Sequence, residues 1–297
     1  MELITTNLPS NHNIALFTCT HEGTISQHKE GIEQLIDDVA SHENTYAAGL
    51  GDWAESIAVD HPHYDITITD SPKDLIDGQY YSIVRKFRPI AKKLLFALLG
   101  NHDWRLARRK GNPVRNIICK ELGVRYGSFS CKLIVKDKKG KLMYKLFSTH
   151  GRKTISSSAD DPIRQEANEK LILKRHLHKK AGDCVIMAKG HAHKLIISEP
   201  SKKLYLMDTG KKIKQSYQYN IPTDDYIDKD LRWYACVGSF LKQYPEPIWM
   251  KNIETGEPEK VPVSGYAEMG EMDPVELGYI IVEVRDRQVV NLRKVIL

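Results

Sequence analysis

Five short clusters of metal-ligating residues punctuate this chain in a fixed order, and each follows or lies within a short apolar run. Ile14–Phe17 precedes Cys19-Thr20-His21, and Tyr46–Leu50 precedes Gly51-Asp52-Trp53-Ala54-Glu55. Leu94–Leu99 leads into Gly100-Asn101-His102-Asp103, Leu142–Phe147 into Thr149-His150-Gly151, and Cys184–Ala188 into Gly190-His191-Ala192-His193. His, Asp, Asn and Cys are side chains that bind divalent transition metals. The apolar runs have the length of buried strands, and ligands at the ends of neighbouring strands converge on one sheet edge. His191 and His193 are two apart, so on an extended segment both point the same way. Distant residues can thereby build one site, and the pattern points to a metal-dependent hydrolase.

The order of these clusters resembles that of the calcineurin-like metallophosphoesterases, D-x-H, G-D-x-x-[DE], G-N-H-[DE], H and G-H-x-H. The resemblance runs from about Ile14 to Leu195 and is strongest to members from phages and prophages. One block departs, because Cys19 stands where the family has Asp. The resemblance implies an α/β (α+β) fold of two packed mixed β-sheets flanked by helices. It also implies two divalent metal ions (Mn, Fe or Zn) bridged by Asp52. Cys19, His21 and His193 would hold one ion, and Asn101, His150 and His191 the other. His102 would bind no metal and act on the reacting phosphoryl group, with Asp103 accepting a hydrogen bond from it. Glu55 is expected just behind the ligands. A thiolate at position 19 favours zinc or iron over harder ions. The implied activity is hydrolysis of a phosphomonoester or phosphodiester, with nucleotides and nucleic acids among the candidate substrates. The alternative is a weakly active or inactive binding module of the same fold, which the Cys19 replacement favours and the presence of His102 disfavours.

Composition narrows the setting. The 297 residues, 41% hydrophobic and 28% charged, suit one domain over 1–297, with a catalytic core of about 14–210 and a C-terminal elaboration of about 211–297. No apolar run approaches the roughly 20 residues of a membrane span. No signal peptide is visible, and five widely spaced cysteines suit a reducing cytosol, so a cytoplasmic protein is expected. Between Trp104 and Arg125, seven basic residues face one acid, Glu121, which equals the formal net charge of +6. A basic segment beside a metal-ligand loop suits an anionic substrate. Arg105 and Arg152, each close to a ligand cluster, are the expected phosphate-gripping residues. Trp53 and Trp104 also follow ligand clusters and either stack on a substrate or pack in the core.

Helical spacing is expected over Gln27–Ser41, from Ser71-Pro72 to about Lys92, and from Asp161-Pro162 to about Lys180. Lys132–Val135 and Leu142–Phe147 read as a hairpin, and Arg152–Ala159 as a mobile loop. After His193 the expected strands are Leu195–Ser198, Leu204–Met207, Trp233–Val237, Ile248–Trp249 and Gly278–Val284. Lys211–Asp230 and Lys251–Met272 read as loops.

Overall fold

In the buried strands, side chains alternate between two different cores, and this alternation sets the layers. The computed structural model describes residues 1–57, 76–217, 225–252, 255–261 and 266–297. Its first half carries β1 (Glu2–Asn7), β2 (His12–Phe17), α1 (Lys29–Ser41), β3 (Thr45–Gly49), α2 (Ile76–Phe87), β4 (Leu94–Ala97) and α3 (Asn101–Lys110). There follow α4 (Lys120–Leu122), β5 (Ser130–Lys136), β6 (Leu142–Thr149), α5 (Pro162–Leu177), β7 (Ile186–Lys189) and β8 (Leu195–Ser198). The last part holds β9 (Leu204–Asp208), β10 (Ile213–Tyr217), β11 (Trp233–Val237), β12 (Ile248–Lys251), β13 (Pro258–Val261), α6 (Tyr266–Met269), β14 (Gly278–Arg285) and β15 (Gln288–Ile296).

Two mixed sheets result, of order β15-β14-β2-β3-β4 and β1-β5-β6-β7-β11-β8. On β2, Ile14 and Leu16 enter the core shared by both sheets, whereas Ala15 and Phe17 face the cluster that includes α1 and α2. On β11, Trp233, Ala235 and Val237 enter the shared core, and Tyr234 and Cys236 face Leu173 and Leu177 of α5. The architecture is the expected pair of mixed sheets flanked by helices.

Several elements differ from expectation. Helix α2 gives way at Phe87 to a 3-10 turn over Arg88–Lys93, because Pro89 cannot supply the amide an α-helix needs. The Ser71-Pro72 start lies outside the described residues. The basic stretch is not one helix: α3 stops before Gly111, whose φ is +97°, and a separate turn begins at Val114. The loop expected to be mobile at Arg152–Ala159 is anchored, with Ile155 buried against α5 and the Lys153 carbonyl bound by Lys189 Nζ. Strands β1 and β15 are not legible because exposed polar positions dilute their apolar residues, and β10 and β13, exposed with no apolar alternation, fall in Lys211–Asp230 and Lys251–Met272, the stretches expected as loops. Of the strands after His193, β8 and β11 join one main sheet, β14 and β15 edge the other, and β9 with β10 and β12 with β13 form two-stranded sheets of their own. Among the described residues, no helix is long and apolar enough to cross a membrane.

Asp183, just before β7, ties two strands together by accepting from Lys132 at 2.7 Å and Lys145 at 2.9 Å. Partial burial works against its charge, but the two ammonium groups win and hold the carboxyl below its ordinary range. A carboxyl shifted down stabilises the fold above its unfolded pKa and loses that contribution as pH falls through the folded value. Asp183→Asn should therefore lower stability at pH 7 and matter progressively less below about pH 4. Urea denaturation at pH 7, 5 and 3.5 measures this, and an equal cost at all three pH values contradicts it.

Candidate metal centre

All five clusters lie just beyond the C-terminal ends of strands, where open α/β sheets place their ligands. Cys19 and His21 follow β2, Asp52 follows β3, and Asn101 and His102 open α3 after β4. From the other sheet, His150 follows β6, and His191 and His193 follow β7. Backbone bonds stitch these loops together: Cys19 N–H donates to Gly51 O at 2.9 Å and His21 N–H to Asp52 O at 3.2 Å. His150 Nδ1 bonds Leu50 O at 2.7 Å and so bridges the two sheets.

Two glycines make the approach possible. A Cβ on Gly100 would lie 2.1 Å from Asp52 N and Oδ1, and one on Gly51, at φ +95°, 2.7 Å from Gly100 N. Neither position admits a side chain without moving backbone. Cys19, His21, Asp52, His191 and His193 all have φ between 45° and 67°, a region non-glycine residues seldom adopt. Such strain persists only where surrounding structure enforces it, and it clusters at functional sites.

Expected ligand atoms converge, and His102, expected to bind no metal, lies among them. Those of Cys19, His21 and His193 lie within 4.8 Å of one another, as do those of Cys19, Asp52 and His150, and those of His21, Asp52 and His102. His21 Nδ1 bonds Glu55 Oε2 at 2.6 Å, which leaves the buried Nε2 without a partner. A carboxylate on the far nitrogen is how metal-binding imidazoles are commonly oriented. A neutral His150 spends its Nδ1 hydrogen on the Leu50 carbonyl, which leaves a lone pair at Nε2. That lone pair faces Asp52 Oδ2 at 3.0 Å and Asn101 Oδ1 at 2.9 Å. Asn101 Oδ1 is also 2.7 Å from His191 Nδ1. Acceptors facing one another repel unless a cation or proton lies among them. The donor set and its orphaned nitrogen fit divalent metal.

Burial opposes a charge on His21, but Glu55 and Cys19 outweigh it and raise the imidazole well above its usual range, so a metal there would displace a proton. Burial opposes ionisation of Asp52, but His150, His102 and His21 outweigh it and hold the carboxyl well below its usual range. Glu55, opposed by the same burial, is held at about 2 by His102 and His21. Burial, then the neighbouring His150, brings His191 down to about 4, and burial with His21 brings His193 to about 3. Both imidazoles are therefore neutral at pH 7, as ligands must be. Burial pushes the Cys19 thiol up, and the neighbouring His21 and Thr18 oppose it only in part.

His102 and Asp103 part company. His102 N–H donates to Asp52 Oδ1 at 2.8 Å, and its Nδ1 donates to Glu55 O at 2.8 Å. Asp103, expected to accept from His102, is instead fully buried behind the site. It accepts from Gly100 N at 2.9 Å, Trp53 N at 3.2 Å and the Tyr80 hydroxyl at 2.9 Å. The reason is its place as third residue of α3, which turns the carboxylate back onto the helix start. Tyr80 gave no signal beyond its place in an amphipathic helix. Trp53 is a core residue, 1% exposed, whose Nε1 donates to Leu98 O. Trp104 is exposed beside the cluster, and Arg152 lines the adjoining cavity; Arg105 is half-buried on α3 outside that lining.

A family model described as calcineurin-like phosphoesterase matches residues 12–237. No curated protein matches the chain. Among solved structures, the NAD nucleotidase of Haemophilus influenzae is similar at 14% identity with a TM-score of 0.34, covering 96% of this chain and 50% of that one. The chain thus spans about half the length of that protein, and a likeness at this score carries no argument.

Asp103 clamps two ligand loops, and its removal leaves the buried Gly100 and Trp53 amides unsatisfied at roughly 1–3 kcal/mol each. Asp103→Ala should therefore lower stability by on the order of 3 kcal/mol, read from denaturant unfolding of the metal-free chain. Wild-type stability in this variant would show that the clamp carries no weight.

Proposed function

Because the chain belongs to the calcineurin-like phosphoesterases, a family of metal-dependent hydrolases, we propose that it hydrolyses phosphate esters at a binuclear centre. The observation that carries the reading is the buried, unpartnered His21 Nε2, turned towards the other ligand atoms by Glu55. In this reading Cys19, His21 and His193 would hold one ion, Asn101, His150 and His191 would hold the other, and the Asp52 carboxylate would serve both. When bound, the metals supply Lewis-acid polarisation of a phosphoryl oxygen and hydroxide near neutral pH.

The chain's own groups do the rest. Glu55 fixes the His21 ring, and the Leu50 carbonyl fixes that of His150. The Glu55 carbonyl can only accept, so His102 Nδ1 carries a hydrogen. Its Nε2, once protonated from solvent, is then the atom that can pass a proton to a leaving oxygen, and the side chain is partly open to solvent. Arg152 beside the cavity is suited to a substrate phosphate. Phosphomonoesters and phosphodiesters, including nucleotides, fit this arrangement.

Manganese added after chelation should restore turnover of an aryl phosphate, an aryl phosphodiester or single-stranded DNA. No turnover with any of them would favour a metal-binding module without catalysis. His102→Ala should keep its metal and lose on the order of 10²–10⁴ in rate, whereas Asp52→Asn should lose metal. Metal loss in His102→Ala would refute the proton-donor role.

Cys19 separates this chain from its family pattern. With a thiolate ligand, Cys19→Asp should shift preference from zinc or iron towards manganese, and Cys19→Ala should lower metal content towards one ion per chain. Elemental analysis after equal loading measures both. Unchanged stoichiometry and preference in the two variants would make Cys19 a packing residue.

A further inference from the structure

Trp104 and Phe129 are large apolar side chains left in solvent beside the ligand cluster, 37% and 43% exposed. Trp104 stands three residues after Asn101 on α3, so the two share a helix face. Phe129 directly precedes β5, and its carbonyl accepts from His150 N–H at 3.1 Å and the Thr149 hydroxyl at 3.3 Å. Both aromatic residues are therefore carried on backbone that also positions a metal-ligand side chain. Their rings meet edge to face, with centroids 5.2 Å apart and planes at 73°. Together with Asn101, His150 and Arg152 they line a cavity of about 290 Å³, near the lower end of small-molecule sites at about 300–1,000 Å³.

Single exposed apolar residues need no explanation. Here two of them wall one cavity that also holds a guanidinium and two expected metal ligands. A flat apolar group, a phosphate charge and an ester at the metals are what such a cavity accommodates at once. A sugar phosphate without a base would leave the aromatic wall in water.

We propose that this cavity is a nucleobase subsite, so that the substrates are nucleotides or nucleotide termini rather than simple phosphate esters. The base packs on Trp104 and Phe129, Arg152 meets phosphate, and the scissile ester lies towards Asn101 and His150. The inference rests on the phosphoesterase reading above, and its own content is the selectivity for a base.

The test is calorimetric titration of the manganese-loaded chain with phosphonate analogues of AMP and of ribose 5-phosphate, whose P–C bond resists hydrolysis. Wild type should bind the AMP analogue about 5- to 100-fold tighter, the scale of base stacking on an aromatic side chain. Trp104→Ala and Phe129→Ala should each shrink that ratio, and Trp104→Phe should keep most of it. A ratio near one in wild type, no measurable binding of the AMP analogue, or a ratio that survives both alanine variants overturns the subsite. The two readings fail separately. Turnover of phosphate esters without preference for a base removes the subsite and keeps the hydrolase. Selective binding of the AMP analogue with no turnover of any ester keeps the subsite and removes the hydrolase.

Discussion

The centre depends on one close approach, that of the loop after β3 to the start of α3. Gly51 and Gly100 leave no room for side chains between these backbones, and Asp103 fastens them from behind through Gly100 N and Trp53 N. With this contact made, Asp52 Oδ1 accepts the His102 N–H at the helix start, where backbone amides favour negative charge. The same contact sets Asn101 Oδ1 beside His150 and His191 from the other sheet. A modest shift of one loop would scatter all three groups.

Strain is part of the arrangement. Five of the seven expected ligand residues hold positive φ, at a cost of about 1–3 kcal/mol each by the usual scale. The shared apolar core and the bonds between loops offset that cost in the absence of ligand. Converging acceptors at Asp52, Asn101 and His150 add repulsion that only a cation or proton relieves. Cation binding therefore relieves a conflict the fold has already built, which couples metal affinity to folding.

Much of this was legible in the sequence, for a physical reason. Buried strands such as Ile14–Phe17 and Cys184–Ala188 need continuous apolar runs, so the ligands that follow them stand out as punctuation. Less legible were strands with one wet face, such as Gln288–Ile296, whose apolar positions are diluted by Asn291, Arg293 and Lys294. The partner of His102 is not legible because adjacency in sequence says nothing of direction: consecutive residues on a helix point about 100° apart, so Asp103 turns inward while His102 faces the cluster. Nor could spacing tell Trp53 from Trp104. Burial separates them, one packed against Phe17 and Phe87, the other edge-on to Phe129 at the cavity mouth.

The central claim is that these seven side chains hold metal through the atoms the fold leaves free. An anomalous difference map from crystals of the manganese-loaded chain tests it most directly. Two peaks are expected inside the cluster, one against His21 Nε2 and one against His150 Nε2, with Asp52 between them. Peaks elsewhere on the surface, or a His21 Nε2 left without a ligand under saturating metal, would contradict it.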